Sequence, residues 1–116
     1  MPRLDVRPIN LPLDLYAGDT FAHQITFETD EGVAIDKSTS TFAAQIRSPA
    51  GAASILETIT VVTTGAANGE IILYLAPADV TMALDGAQWD LQETAANDVV
   101  TTILAGPVTV TQDVTR

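Results

Sequence analysis

His23 is the single histidine of a chain that has no cysteine. A Ser-His-Asp relay would have to pass its proton through His23, and no G-x-S-x-G turn presents a serine to it. The lack of Cys removes thiolate nucleophiles, disulfides and thiolate metal sites. His23 lies in an alternating run with Phe21, Ile25 and Phe27, where a packed histidine with one hydrogen-bond partner is expected. Carboxylates pair along the sequence as Asp14 and Asp19, Asp30 and Glu31, Asp85 and Asp90. Two carboxylates across a cleft can hydrolyse a glycoside, but the cleft also needs aromatic platforms. One Trp and two Tyr supply few of these. Acidic loops can bind calcium through oxygen ligands, yet no D-x-[DN]-x-[DN]-G loop occurs. No G-x-x-x-x-G-K phosphate loop occurs either. The expectation is a protein without enzyme activity, cofactor or metal.

The formal net charge is -10, from 15 acids and 5 bases. Nucleic-acid binding needs a basic stripe, and an anionic membrane surface attracts basic segments, so neither partner is expected. A positively charged protein partner is compatible with this charge. Met1-Pro2-Arg3-Leu4-Asp5 has no apolar core of a signal peptide. No apolar run approaches the roughly 18 residues of a membrane helix. Synthesis and assembly in a cytoplasm are expected.

The elements that must position these residues read as strands. Residues 1–15 carry Pro2, Pro8 and Pro12, which break helices and confine a strand to a sheet edge. Leu11, Leu13 and Leu15 alternate with Pro12 and Asp14. This segment is expected to be an extended N-terminal arm or an edge strand, with residues 16–116 forming one β domain. Strands are expected over Thr20–Thr29, Thr41–Arg47, Ile55–Thr63, Glu70–Leu75, Ala87–Gln92 and Val99–Thr111. A short leg covers Val33–Ile35. A short helical turn near residues 78–84 places Val80 and Leu84 one turn apart, as a plug for one end. Ala87, Trp89 and Leu91 share an apolar face. In the last strand, Val100, Thr102 and Leu104 are expected on one face. Gly106-Pro107 signals a bulge or a change of partner, because Pro removes a ladder donor. About seven or eight short strands with regular turn signals make an antiparallel sandwich or barrel.

Several stretches together resemble the small immunoglobulin-like β-sandwich proteins of tailed bacteriophages and prophages. They are Tyr16-Ala17-Gly18-Asp19-Thr20, Phe42-Ala43-Ala44-Gln45-Ile46-Arg47, Pro77–Leu84, Trp89-Asp90-Leu91-Gln92, Leu104–Val110 and Asp113–Arg116. The resemblance runs from Leu13 onward. It implies an Ig-like antiparallel β-sandwich akin to the anchoring domain of upper-baseplate and tail-fibre proteins. It also implies a structural role in the virion, without enzyme activity.

The expected function is therefore that of a non-enzymatic virion protein, an adaptor or connector in the tail, baseplate or fibre attachment. The expected location is the virion, assembled in the host cytoplasm. Other virion proteins are the expected partners, with homo-oligomerisation in the particle. A capsid decoration or cement protein is the alternative, and a receptor- or carbohydrate-binding module using Tyr16 and Tyr74 a further one. Contacts are expected through Pro8, Leu11, Leu13 and Leu15 of the arm, the outward pair Ile72 and Tyr74, and the C-terminal Val114 and Arg116. Strand edges and extended arms can knit subunits by strand addition.

Overall fold

Eight strands and three isolated 3₁₀ turns make up the computed structural model, which describes residues 9–48 and 55–112. The strands are β1 (Ile9–Asn10), β2 (Leu13–Tyr16), β3 (Phe21–Thr26), β4 (Thr41–Arg47), β5 (Ile55–Val62), β6 (Glu70–Leu75), β7 (Gln88–Thr94) and β8 (Val100–Thr111). The protein is all-β. The strand order is β1-β8-β7-β4-β5-β6-β3, with β2 also on β8.

Two strands are shared between halves of this sheet, and they make it curl. The first part of β5 pairs with β4, from Ile55 opposite Arg47 to Ile59 opposite Ala44. Its last part pairs with β6, where Thr60, Val61 and Val62 face Tyr74, Leu73 and Ile72. Ile59 marks the handover and is buried. On β8, pairing with β7 ends at Pro107 opposite Gln88, while Val108–Thr111 pair with β2. Alternation then sends one apolar face of every strand except the exposed β1 toward a common core. Ala44, Ile46, Ile71, Leu73, Leu75, Trp89, Leu91, Val108 and Val110 are all buried there.

Four expectations are corrected. The pairing is mixed rather than antiparallel, because β1 and β2 run parallel to β8. Ile9 faces Leu104 and Leu13 faces Val108 at the same offset, so β1 and β2 are one strand interrupted at Leu11-Pro12. A parallel pair needs a long crossover, and most of the domain serves as one.

The helical turn near 78–84 is two 3₁₀ turns, Pro77–Asp79 and Met82–Leu84. Val80 and Thr81 between them are extended. These β-branched residues favour that conformation. Val80 and Leu84 are nonetheless both buried and plug the core.

The register of β7 on β8 shifts between Leu91 and Gln92, so Leu91 faces Leu104 while Gln92 faces Thr102. Ile103 is the extra residue of this bulge. It reverses the alternation, leaving Val100 exposed rather than beside Leu104 on the core face. Gly106-Pro107 instead marks the end of the β7 ladder, while the interrupted β1–β2 strand lies along the other edge of β8 on both sides of it.

His23 is exposed, not packed. It stands on β3, the last strand in the order, and its ring stacks on Phe21 with centroids 6.4 Å apart. With β6 on one side only, even Phe21 and Ile25 are half-buried.

Candidate functional site

The expected contact residues divide sharply. Leu13 and Leu15 are 3% exposed and belong to the core, so they are not open to a partner. The reason is that β2 is a full member of the sheet, hydrogen-bonded along β8. Leu11 is half-buried, and its carbonyl accepts a 2.7 Å hydrogen bond from Trp89 Nε1. Pro8, Val114 and Arg116 lie outside the described residues. Ile72 and Tyr74 do face outward, each 37% exposed. On β6 they lie between Gln24 and Ala22 of β3 and Val62 and Thr60 of β5. This is a weakly polar face with two large apolar side chains at its middle.

Beside that face runs the free edge of β3. Among the described residues β3 pairs with β6 alone. Every second residue of Phe21–Thr26 therefore turns its N–H and C=O away from the sheet. None of these six residues is charged and none is Pro. Natural edges are usually blunted by such residues. The other end of the order is blunted: β1 has two residues, and Pro12 interrupts the strand it shares with β2.

Glu93 anchors the main polar cluster, which sequence reasoning did not find. Its carboxylate accepts from Lys37 Nζ at 3.2 and 3.0 Å and from Ser40 Oγ at 2.6 Å. Lys37 Nζ also lies 5.0 Å from the Phe27 ring centroid, and Phe27 stacks on Phe42 at 5.8 Å. Burial pushes the Glu93 carboxyl up. The Ser40 and Lys37 hydrogen bonds and the Lys37 charge outweigh it, holding the group below the ordinary glutamate value. The cluster pins the 27–40 loop to the sheet. Gly69 helps it do so: a Cβ there would lie 2.6 Å from the Phe27 carbonyl oxygen and 2.9 Å from that of Ile35. The only sequence signal for the cluster was Glu93 following Trp89 and Leu91 at even spacing, which puts a carboxylate on the core face.

The outer face of β4 and β7 carries a shallow polar cavity of about 260 Å³, lined by Ala43, Gln45, Arg47, Asp90 and Gln92. Arg47 donates from Nε and Nη2 to Gln45 Oε1 at 3.2 and 2.8 Å. Burial raises the Asp90 carboxyl above the ordinary aspartate value, and the Arg47 charge opposes the shift. Asp85 is committed elsewhere: its Oδ1 accepts from the Val110 N–H at 2.9 Å. At one end of the core, an open cavity of about 480 Å³ is lined in part by Ala17, Pro77, Val80 and Met82. Met82 is 43% exposed, and Tyr16, on the outward side of β2, is 55% exposed. Among the described residues no three His, Cys, Asp or Glu side chains come together as a metal site.

The geometry thus offers two surfaces able to meet another protein, the Ile72–Tyr74 face and the β3 edge beside it. No family model matches the chain, and no curated protein matches it.

Proposed function

We propose that this protein is a non-enzymatic structural component of a tailed-phage virion, an adaptor or connector in the tail, baseplate or fibre attachment. The strand order supports the fold half of this reading. β3-β6-β5 followed by β4-β7-β8 matches the B-E-D and C-F-G orders of an immunoglobulin-like sandwich. Four of the resembling stretches fall on the framework of that order. Phe42–Arg47 forms most of β4, Trp89–Gln92 lies in β7, Leu104–Val110 lies in β8, and Pro77–Leu84 makes the two plugging turns. Fold alone does not assign function. The assignment to a virion therefore rests on those stretches and on surfaces suited to assembly: an unblunted strand edge and an apolar pair on the adjoining face.

Immunogold electron microscopy on purified particles, with an antibody against this chain, tests the proposal. Label on the tail or at its end is the expected result. Label over the head would make the protein a capsid decoration protein. Absence of label from particles would overturn both readings.

A further inference from the structure

Charge is divided unevenly along this chain. The described body keeps two bases, Lys37 and Arg47, while most of the 15 acids lie within it. Lys37 is engaged by Glu93. Arg3 and Arg7 precede the body and flank Leu4, Asp5 and Val6. In an extended segment, alternation puts Leu4 and Val6 on one face and Arg3, Asp5 and Arg7 on the other.

The β3 edge has the matching pattern. Phe21 and Ile25 are half-buried on its core side, short of the cover a second neighbouring strand would give. On its outer side, exposed Glu70 faces Thr26 across the ladder, and exposed Glu28 follows two residues later. Unpaired backbone groups along an uncharged six-residue strand call for another extended backbone. Apolar residues at alternate positions, with basic residues on the opposite face, complement this one. The arm is rooted at β1 on β8, at the other end of the strand order from β3.

We propose that the arm Arg3–Arg7 of one copy adds as a strand to the free β3 edge of a second copy, with Leu4 and Val6 on the face that carries Phe21, His23 and Ile25 and the arginines on the face of Glu28 and Glu70. This deepens the assembly reading above and rests on it for the arm as a contact element. Arm and edge are different surfaces, so the contact is head-to-tail: it closes a ring, of which two copies exchanging arms is the smallest, or builds a filament.

The chain has no cysteine, so single cysteines can be placed cleanly. Two full-length chains, one Val6→Cys and one His23→Cys, are mixed at high concentration and treated with a short bis-maleimide. The expected result is a crosslinked pair of two different copies, absent when the second chain carries Gln92→Cys instead. Arg3→Glu with Arg7→Glu is expected to weaken self-association, measured by sedimentation, about tenfold. No crosslink, or equal crosslinking to position 92, would overturn the proposal. So would a doubly substituted chain that crosslinks only within itself, since the arm would then cover its own edge. Purified protein suffices for this test. A failure here leaves particle labelling untouched, and absence from particles leaves a positive crosslink standing.

Discussion

The indole Nε1–H of Trp89 donates to the main-chain oxygen of Leu11 at 2.7 Å, across 78 residues of sequence. Trp89 faces Gly106 across the β7–β8 ladder. A Cβ on Gly106 would lie 2.5 Å from that same Leu11 oxygen and 2.8 Å from its carbon. One indole, one missing side chain and one carbonyl thus hold the interrupted N-terminal strand against the last strand. The constraint on Gly106 is space: backbone meets backbone where Pro12 breaks the ladder.

Trp89→Phe keeps an aromatic ring but removes the donor to a half-buried carbonyl. The expected loss is about 1–3 kcal/mol, read from urea unfolding. Gly106→Ala is expected to cost about 1–3 kcal/mol by overpacking. Both substitutions act on the docking of Leu11, so the double variant should lose less than the sum of the two. Strict additivity would show that the three groups do not act as one lock.

Glu93 makes stability fall in acid. Its folded pKa is held below the ordinary glutamate value of 4.5, so the unfolded chain binds the proton more readily. The contribution is present above that value and is lost as pH drops through the folded one. Glu93→Gln should be less stable at neutral pH by about 1–3 kcal/mol. It should also lose less than the parent on going to about pH 3, in chemical denaturation followed across pH.

Asp90, three residues earlier on the opposite face of β7, should behave in the reverse sense. Its folded pKa is raised above 3.8, mainly by burial. Its protonated form is favoured by folding, and that gain disappears as pH rises through the folded pKa. Asp90→Asn is therefore expected to be neutral or stabilising at neutral pH. Its advantage should shrink as acid protonates the parent. A clear destabilisation at neutral pH would show that Arg47 outweighs burial.

The two faces of β6 should separate stability from assembly. Leu73→Ala removes a fully buried side chain and should cost about 2–5 kcal/mol. Ile72→Thr with Tyr74→Thr alters the exposed face and should stay within about 0.5 kcal/mol of the parent per site. The same pair should reduce incorporation into particles if this face is a contact. Full incorporation would remove it from the candidate site.

Local patterns were readable, and partnerships were not. The alternation of Ile71, Leu73 and Leu75 marks β6 at its observed limits, and Trp89 and Leu91 face the core as their spacing requires. Nothing in Leu11–Leu15 tells whether its neighbour runs parallel or antiparallel, because that depends on where β8 arrives. The bulge at Ile103 has no Gly to announce it, and it turns Val100 outward. His23 has the spacing of a core residue, but an edge strand has too few neighbours to cover it. The Glu93 cluster joins residues far apart in sequence, so only its inward parity was visible beforehand.

The pairing of β1 and β2 with β8 has a consequence for synthesis. During translation the first strands emerge long before the strand they must lie against. Leu13 and Leu15, and the core face they complete, have no native place until β8 has left the ribosome. Pairing between the two ends of a domain is slow for the same entropic reason, and the nascent chain carries an open apolar seam until then. Folding of this domain is therefore expected to wait for β8 and to be decided at that strand. A truncation before Val100 should yield a chain that chaperones retain rather than a smaller folded domain.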